Sequence, residues 1–235
     1  MDLAPDDIPL PLADPSPSWL ARLRARGGIT VRRLEAGQVL LPEGEQPSCF
    51  WAIQRGAVAL VSTTPWGRRG TVAVLGRGSV LGEQGMIPSF VHAPPDPISL
   101  PEARALVASS VCSVPFPALR AAMASDPRIA RWVVVAVSRR AAQVQRTLAR
   151  TLAMRVPHRL LGVLQDLAAE HGWPRPGGVI IALPLPQDLL ASMIGATRES
   201  VNRSIADLQR QGLVRRIGLR YVLACPPFVS EGDPS

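Results

Sequence analysis

Apolar positions change their rhythm once along this chain. From Ile29 to about Phe116 they come in short runs broken by glycine, and from Asp126 onward they step by threes and fours. The first rhythm predicts β-strands and the second predicts amphipathic helices. The strands expected are Thr30–Leu34, Gln38–Leu41, Cys49–Gln54, Ala57–Ser62, Gly70–Leu75 and Ala105–Pro115, punctuated by Gly37, Gly44, Gly56, Gly67, Gly78 and Gly82. Short strands at even spacing with turn glycines argue a β-sandwich or barrel.

Between Asp126 and Met154 the apolar positions are Ile129, Trp132, Val133, Val137, Ala141, Val144, Leu148 and Leu152, with no Gly or Pro before Pro157. This is a helix of about seven turns at 3.6 residues each. Asp126-Pro127 suits its start, because proline fits the first turn and a carboxylate sits well at the positive end of the helix dipole. A helix this long with a narrow apolar seam pairs with a copy of itself. The competing reading is a core helix lying on the strands. Val156 to His171 makes a further helix, with Leu160, Leu161, Leu164 and Leu167 inward. Gly172 to Gly178 reads as a loop and Val179–Leu183 as a short strand.

Near the C-terminus two short apolar-periodic segments meet at Gly195. Leu189, Leu190, Met193 and Ile194 precede it, and Val201, Ile205, Leu208 and Leu213 follow. Gly195 supplies the backbone freedom of a tight turn, and the Thr197 hydroxyl can cap the second helix. Two such helices across a glycine turn make a helix-turn-helix. Gly212 to Leu223 then reads as a two-stranded wing with arginines around its turn.

The second helix carries Arg198, Glu199 and Arg203 clear of its apolar stripe, close to the end that enters a major groove. A guanidinium can donate two parallel bonds to guanine O6 and N7, and a carboxylate can accept from cytosine N4. Thr197, Ser200 and Asn202 are expected to reach phosphates, which fixes register without reading sequence. Arg215, Arg216 and Arg220 of the wing are expected to do likewise, with ordinary surface charge as the alternative.

Composition sharpens this picture. The chain has 235 residues, enough for two small domains. No apolar run reaches membrane-spanning length. The N-terminus is acidic and Pro-rich, unlike a signal peptide, so a cytoplasmic protein is expected. The net charge is +8 and every one of the 26 basic residues is Arg. Residues 1–125 hold 11 Arg against 10 acids, whereas residues 126–225 hold 15 Arg against 6 acids. The positive excess lies where a polyanion would bind. Cys49, Cys112 and Cys225, like His92, His158 and His171, are scattered. They form no metal-ligand set and no nucleophile–base constellation, so neither a metal nor an enzyme is expected. Residues 1–18 are expected to be a flexible arm, Trp19 to Arg26 a short helix, and 226–235 a frayed tail.

The motif order of the strand region adds a resemblance. Leu34-Glu35-Ala36-Gly37-Gln38-Val39-Leu40, then Glu43-Gly44, Cys49-Phe50-Trp51-Ala52-Ile53, Arg55-Gly56-Ala57-Val58 and Gly78-Ser79-Val80-Leu81-Gly82-Glu83 follow one another. This order is similar to the β-roll of the cyclic-nucleotide-binding domain superfamily. With the C-terminal half included, residues 19–223 resemble a Crp/Fnr-type transcription regulator. The resemblance implies an α+β fold: a double-stranded β-helix or β-roll (cupin-like) effector domain over 19–125, a dimerisation helix over 126–154 that hinges the two domains, and a winged helix-turn-helix over 155–225. It implies a homodimer on double-stranded palindromic DNA, RNA polymerase as a further partner, and no membrane.

It also assigns roles. Arg198, Glu199 and Arg203 match the Arg-Glu-x-x-x-Arg set that reads a TGTGA-like half-site. The family commonly opens its first motif helix with Thr, but Pro186 stands there, and Gln187 is expected to replace the lost phosphate contact. The family's phosphate-binding cassette is Gly-Glu, a short helix, then Arg-Ser or Arg-Thr; the Glu holds the ribose hydroxyl and the Arg neutralises the cyclic phosphate. Gly82-Glu83 is present, but the Arg-Ser place reads Glu102-Ala103-Arg104-Ala105. Arg104 is either a displaced phosphate ligand or an ordinary strand residue, and Glu102 would repel a phosphate. Cyclic AMP in the usual mode is therefore not expected. Another small-molecule effector in a pocket at Gly82, Glu83 and Arg104 is one reading. Constitutive DNA binding is a second, and a β-roll enzyme with an accessory DNA-binding tail a third.

Overall fold

The computed structural model describes residues 29–86 and 100–224. The expected arm at 1–18, the helix at 19–26, His92 with nearly all of the Pro-rich stretch 88–101, and the tail from Cys225 lie outside the described residues. The chain divides into two compact units at Ala149/Arg150.

The first unit holds two antiparallel four-stranded sheets. One runs in the order β1 (Thr30–Leu34), β8 (Ser109–Pro115), β3 (Cys49–Arg55), β6 (Val80–Leu81), and the other β2 (Val39–Leu41), β7 (Glu102–Ala105), β4 (Val58–Thr63), β5 (Arg69–Leu75). Strand alternation sends successive side chains to opposite faces. Trp51 and Ile53 of β3 therefore join Leu60, Leu75, Ala103 and Val111 in one buried cluster. Phe50 and Ala52 join Cys112 and Val114 in another, on the far face of the same sheet. Burial on both faces explains why β3 reads as a nearly continuous apolar run from Cys49 to Ile53.

Helix α1 (Phe116–Ser125) and the start of helix α2 (Pro127–Ala153) cover that far face. The Asp126 carboxylate accepts from the Arg128 N–H at 3.0 Å, so the acid expected to open α2 does so. Ile129 and Val133 are only 4% and 5% exposed in the second cluster, and the Trp132 ring stands edge-on to Phe50 at 6.4 Å. Ile129 and Val133 are thus core residues of the first unit, a correction to their place on the expected dimer seam. The reason is length. At 1.5 Å per residue, α2 is about 40 Å long, and only its first turns lie on the sheet. Val144, Leu148 and Leu152 further along are 46%, 56% and 79% exposed.

The stretch Ala105–Pro115 is two strands and not one. Ala105 ends β7 in one sheet and Ser109 begins β8 in the other. Ser109 fixes the crossover: its hydroxyl accepts from the Ala57 N–H at 3.1 Å and donates to the Val107 carbonyl at 2.7 Å.

The second unit begins with the last turn of α2. Arg150 makes a bidentate pair with Asp166 of helix α3 (Val156–His171). The segment Gly172 to Gly178, expected to be a loop, contains β9 (Gly172–Arg175), which pairs with β10 (Gly178–Ile181). Helices α4 (Gln187–Ile194) and α5 (Arg198–Arg210) follow, then β11 (Val214–Ile217) and β12 (Arg220–Leu223). The sheet order is β11-β12-β10-β9. Gly195 ends α4 at φ 62° and ψ 42°. No atom lies within 4 Å of where a side chain would start there, so the demand for glycine is conformational and not steric. Thr197 caps α5, its hydroxyl accepting from the Ser200 N–H at 3.2 Å.

Candidate DNA interface and effector site

Helix α5 buries Val201, Ser204, Ile205 and Leu208 against the second unit's core. The remaining face presents Arg198, Glu199, Asn202, Arg203 and Ala206 to solvent. The three residues expected to read bases are therefore together on one exposed surface, on the first turns of the helix. Arg198 Nη1 lies 3.6 Å from Asp188 Oδ2, with side chains 68% and 71% exposed. Such a pair is worth little in water and leaves the guanidinium able to swing to another partner.

The residues expected at phosphates are placed less uniformly. Thr197 and Ser200 sit at the α5 N-terminus, where unpaired N–H groups and the helix dipole favour an anion. The Thr197 hydroxyl donates to the Ser200 Oγ at 3.0 Å. Gln187, the second-choice phosphate ligand beside Pro186, donates instead from Nε2 to Asn202 Oδ1 at 3.0 Å. In the wing, Arg215 and Arg216 are exposed, and Arg216 Nε steadies the turn by donating to the Gly218 carbonyl at 2.8 Å. Arg220 is half-buried, and its Nε donates to the Ala182 carbonyl at 3.3 Å. The adjacent bond from Leu185 N–H to Leu219 O at 2.7 Å ties the same wing turn to the segment before α4. Arg220 acts there as a strut.

The effector residues also separate. Gly82 has φ 87°, and a Cβ there would stand 2.5 Å from the Cys49 carbonyl oxygen. Both conformation and space require glycine at this point. Glu83 opens a short 3-10 turn (Glu83–Met86), and its Oε1 lies 2.9 Å from Arg140 Nε of α2. Both side chains are about 15% exposed, and Glu83 Oε2 and Arg140 Nη1 are buried without hydrogen-bond partners. Arg140 was not legible as a site residue: 57 positions separate it from Glu83, and it lies off the apolar seam.

Arg104 is elsewhere. Ala103 and Ala105 of β7 face the buried cluster, so Glu102 and Arg104 take the opposite face of the strand. Arg104 Nε and Nη2 donate to the two Glu102 oxygens at 2.8 and 3.0 Å, and Nη1 donates to the Gly37 carbonyl at 2.7 Å. Arg69 Nη2 adds a further bond to Glu102 at 2.7 Å. The Arg104 hydrogen bonds hold the Glu102 carboxyl below its usual range despite partial burial. Arg104 is therefore a strand residue saturated by a neighbouring acid, which corrects its place in the effector pocket. Among the described residues no group of three His, Cys, Asp or Glu side chains could hold a metal, and no helix is long and apolar enough to cross a membrane.

Two families match this chain. Residues 31–126 match the cyclic nucleotide-binding domain, and residues 158–225 match the Crp-like helix-turn-helix domain. A CRP-like cAMP-activated global transcriptional regulator of Mycobacterium tuberculosis is 27% identical over 188 residues, covering 80% of this chain and 81% of the relative. A global nitrogen regulator of Synechococcus elongatus is 28% identical over 209 residues, covering 86% and 89%. Among solved structures, the c-di-GMP responsive global regulator CLP of Xanthomonas campestris superposes with a TM-score of 0.69 at 20% identity, covering 89% of this chain and all of that one. A β-roll and a winged helix-turn-helix, joined by one long helix and matched over most of their length by regulators of this kind, place the chain in the Crp/Fnr family of DNA-binding transcription regulators.

Proposed function

We propose that the chain works as a homodimer that reads a palindromic, TGTGA-like operator, one half-site for each α5. The observation that carries this reading is the exposed face of α5, where Arg198, Glu199 and Arg203 stand above a fully buried apolar stripe. Arg198 and Arg203 donate to guanines and Glu199 accepts from cytosine N4. Thr197, Ser200, Arg215 and Arg216 hold the flanking phosphates and set the register. The exposed Val144, Leu148 and Leu152 of α2 make the dimer seam. Two copies then present their helices to half-sites about 34–36 Å apart, one turn of duplex. RNA polymerase is the further partner.

The β-roll would control this dimer, but not through cyclic AMP bound in the usual mode. Glu83 is ion-paired with Arg140, and Glu102 stands where the family's phosphate-neutralising Arg belongs. Anisotropy titrations with a labelled palindromic duplex test the DNA side. Arg203→Ala is expected to weaken operator binding by about 10- to 100-fold, following the ~1–3 kcal/mol of a bidentate base contact, while a scrambled duplex changes only a few-fold. Equal losses on both duplexes would show that Arg203 reads no base.

A further inference from the structure

The joint between α2 and α3 is two residues long, Met154 and Arg155. One backbone bond closes α2, from the Met154 N–H to the Arg150 carbonyl at 2.9 Å, and one opens α3, from the Arg159 N–H to the Arg155 carbonyl at 3.0 Å. Two residues with soft φ and ψ would let the helices swing. A side-chain brace spans the joint. We propose that Arg150, Asp166 and Gly162 are positioning residues that lock the last turn of α2 to α3 and thereby set the half-site spacing the dimer accepts. The inference rests on the dimeric, groove-reading function proposed above.

The brace has two parts. Arg150 Nη1 and Nη2 donate to the two Asp166 oxygens, the second at 3.1 Å. The side chains are 18% and 23% exposed. Two parallel bonds fix a guanidinium in direction as well as in distance. Gly162 lies one turn before Asp166 on the same face of α3. It is buried in the helix interior, where glycine is a poor helix former. A Cβ there would stand 2.7, 2.9 and 3.0 Å from Arg150 Nε, Cζ and Cδ. Space, and not backbone conformation, asks for glycine here: the arginine lies flat along α3 because that side chain is missing.

Placement gives the brace its consequence. At about 100° per residue, Arg150 points about 200° away from Leu148 and about 160° away from Leu152. One face of the last turn of α2 is therefore left for the partner, and the opposite face holds α3. Arg150, Leu152, Gly162 and Asp166 all belong to the second unit, in which α3 packs directly against α5. A braced path thus runs from the dimer seam through α3 to the recognition helix. One base pair of spacing moves a half-site about 3.4 Å along the duplex and about a tenth of a turn around it. A dimer held by this path cannot follow that change, and a dimer with a free joint can.

Selection from duplexes that carry two inverted, randomised half-sites and a spacer of varied length, read by sequencing, tests this with the full-length protein. The wild type is expected to favour one spacer over those one base pair shorter or longer by about tenfold. Gly162→Ala drives the guanidinium off Asp166, and Arg150→Met removes the fork while keeping the apolar stem. Each should level the preference to about threefold or less, with the base preferences inside each half-site unchanged. Gly162→Ala gains helix propensity as it loses the brace, so its melting point should stay close to that of wild type. A spacing preference that stays sharp in both variants overturns the proposal. An equal loss of affinity at every spacer also overturns it, because the pair is then a stabilising contact only, as does a wild type indifferent to spacing. A wild type that selects no half-site sequence, or that binds single half-sites as a monomer, overturns the operator reading instead, and this inference with it.

Discussion

Burial sets the chemistry of His171. Its side chain is 3% exposed at the end of α3, Nε2 has no hydrogen-bond partner, and the Glu170 carboxylate is 3.9 Å away and one-third exposed. A cation in that position loses its hydration and gains little in return, so the pKa is pushed down to about 4. The unfolded chain takes up the same proton near 6.5. Between these values the unfolded state binds more protons than the folded one. Stability is therefore complete above about pH 6.5 and falls as the pH drops toward 4. From about pH 7.5 to about pH 5 the loss is roughly 2 kcal/mol, before the carboxylates titrate. Thermal melts over that range should show the DNA-binding unit losing stability in wild type. His171→Gln should flatten the dependence. A wild-type melting point that stays level across the range would mean that the ring is solvated or paired in solution.

The long helix α2 divides its apolar residues between two duties. Ile129 fills the cluster beneath the β-roll sheet, so Ile129→Ala should cost about 2–5 kcal/mol of folding stability. Leu148 and Leu152 touch solvent in the single chain. Leu148→Asp with Leu152→Asp should leave the β-roll folded and abolish dimers. Denaturant titration beside sedimentation velocity separates the two effects. A double variant that stays dimeric would remove α2 from the interface. The full extent of the helix was legible because its period is uninterrupted from Ile129 to Leu152. Its divided role was not, because a 3.6-residue period looks the same over a sheet and over a partner helix. The same limit hid the break at Leu106 to Ala108. No glycine or proline marks it, and a buried serine hydroxyl at Ser109 makes the turn. No apolar period marks the ten-residue α1, and its legible signal is Pro117 ahead of an alanine-rich run. The start, cap and exposed face of the recognition helix, by contrast, are legible because they lie within two turns, but Leu213, expected on its apolar stripe, falls beyond the helix end at Arg210 and is 39% exposed. Glu83–Arg140 and Gln187–Asn202 depend on tertiary approach, and no local pattern announces either.

At the scale of the whole molecule, charge and the roll's ion pairs bear on one question, what turns DNA binding on. Residues 126–225 carry 15 Arg against 6 acids, so affinity for a polyanion is built into that half and should weaken steeply with salt. Residues 1–125 are nearly neutral, with 11 Arg against 10 acids, and the cations placed near the expected cassette have partners already: Arg104 and Arg69 hold Glu102, and Arg140 holds Glu83. A cyclic phosphate entering the roll would lose its hydration, while Arg104, Arg69 and Arg140 are already engaged by carboxylates. A ligand can shift a protein between conformations only by its differential affinity for them, and a ligand that does not bind has none. Cyclic AMP at millimolar concentration should thus give no saturable heat in calorimetry and change operator affinity by less than about twofold, under 0.5 kcal/mol. The unliganded protein should already bind the operator at low salt. Saturable heat in the micromolar range, with a tenfold or larger gain in operator affinity, would show that the roll rearranges its ion pairs to admit the nucleotide. In that case Arg140 must leave the Glu83 carboxylate, and substituting Arg140 would abolish the gain.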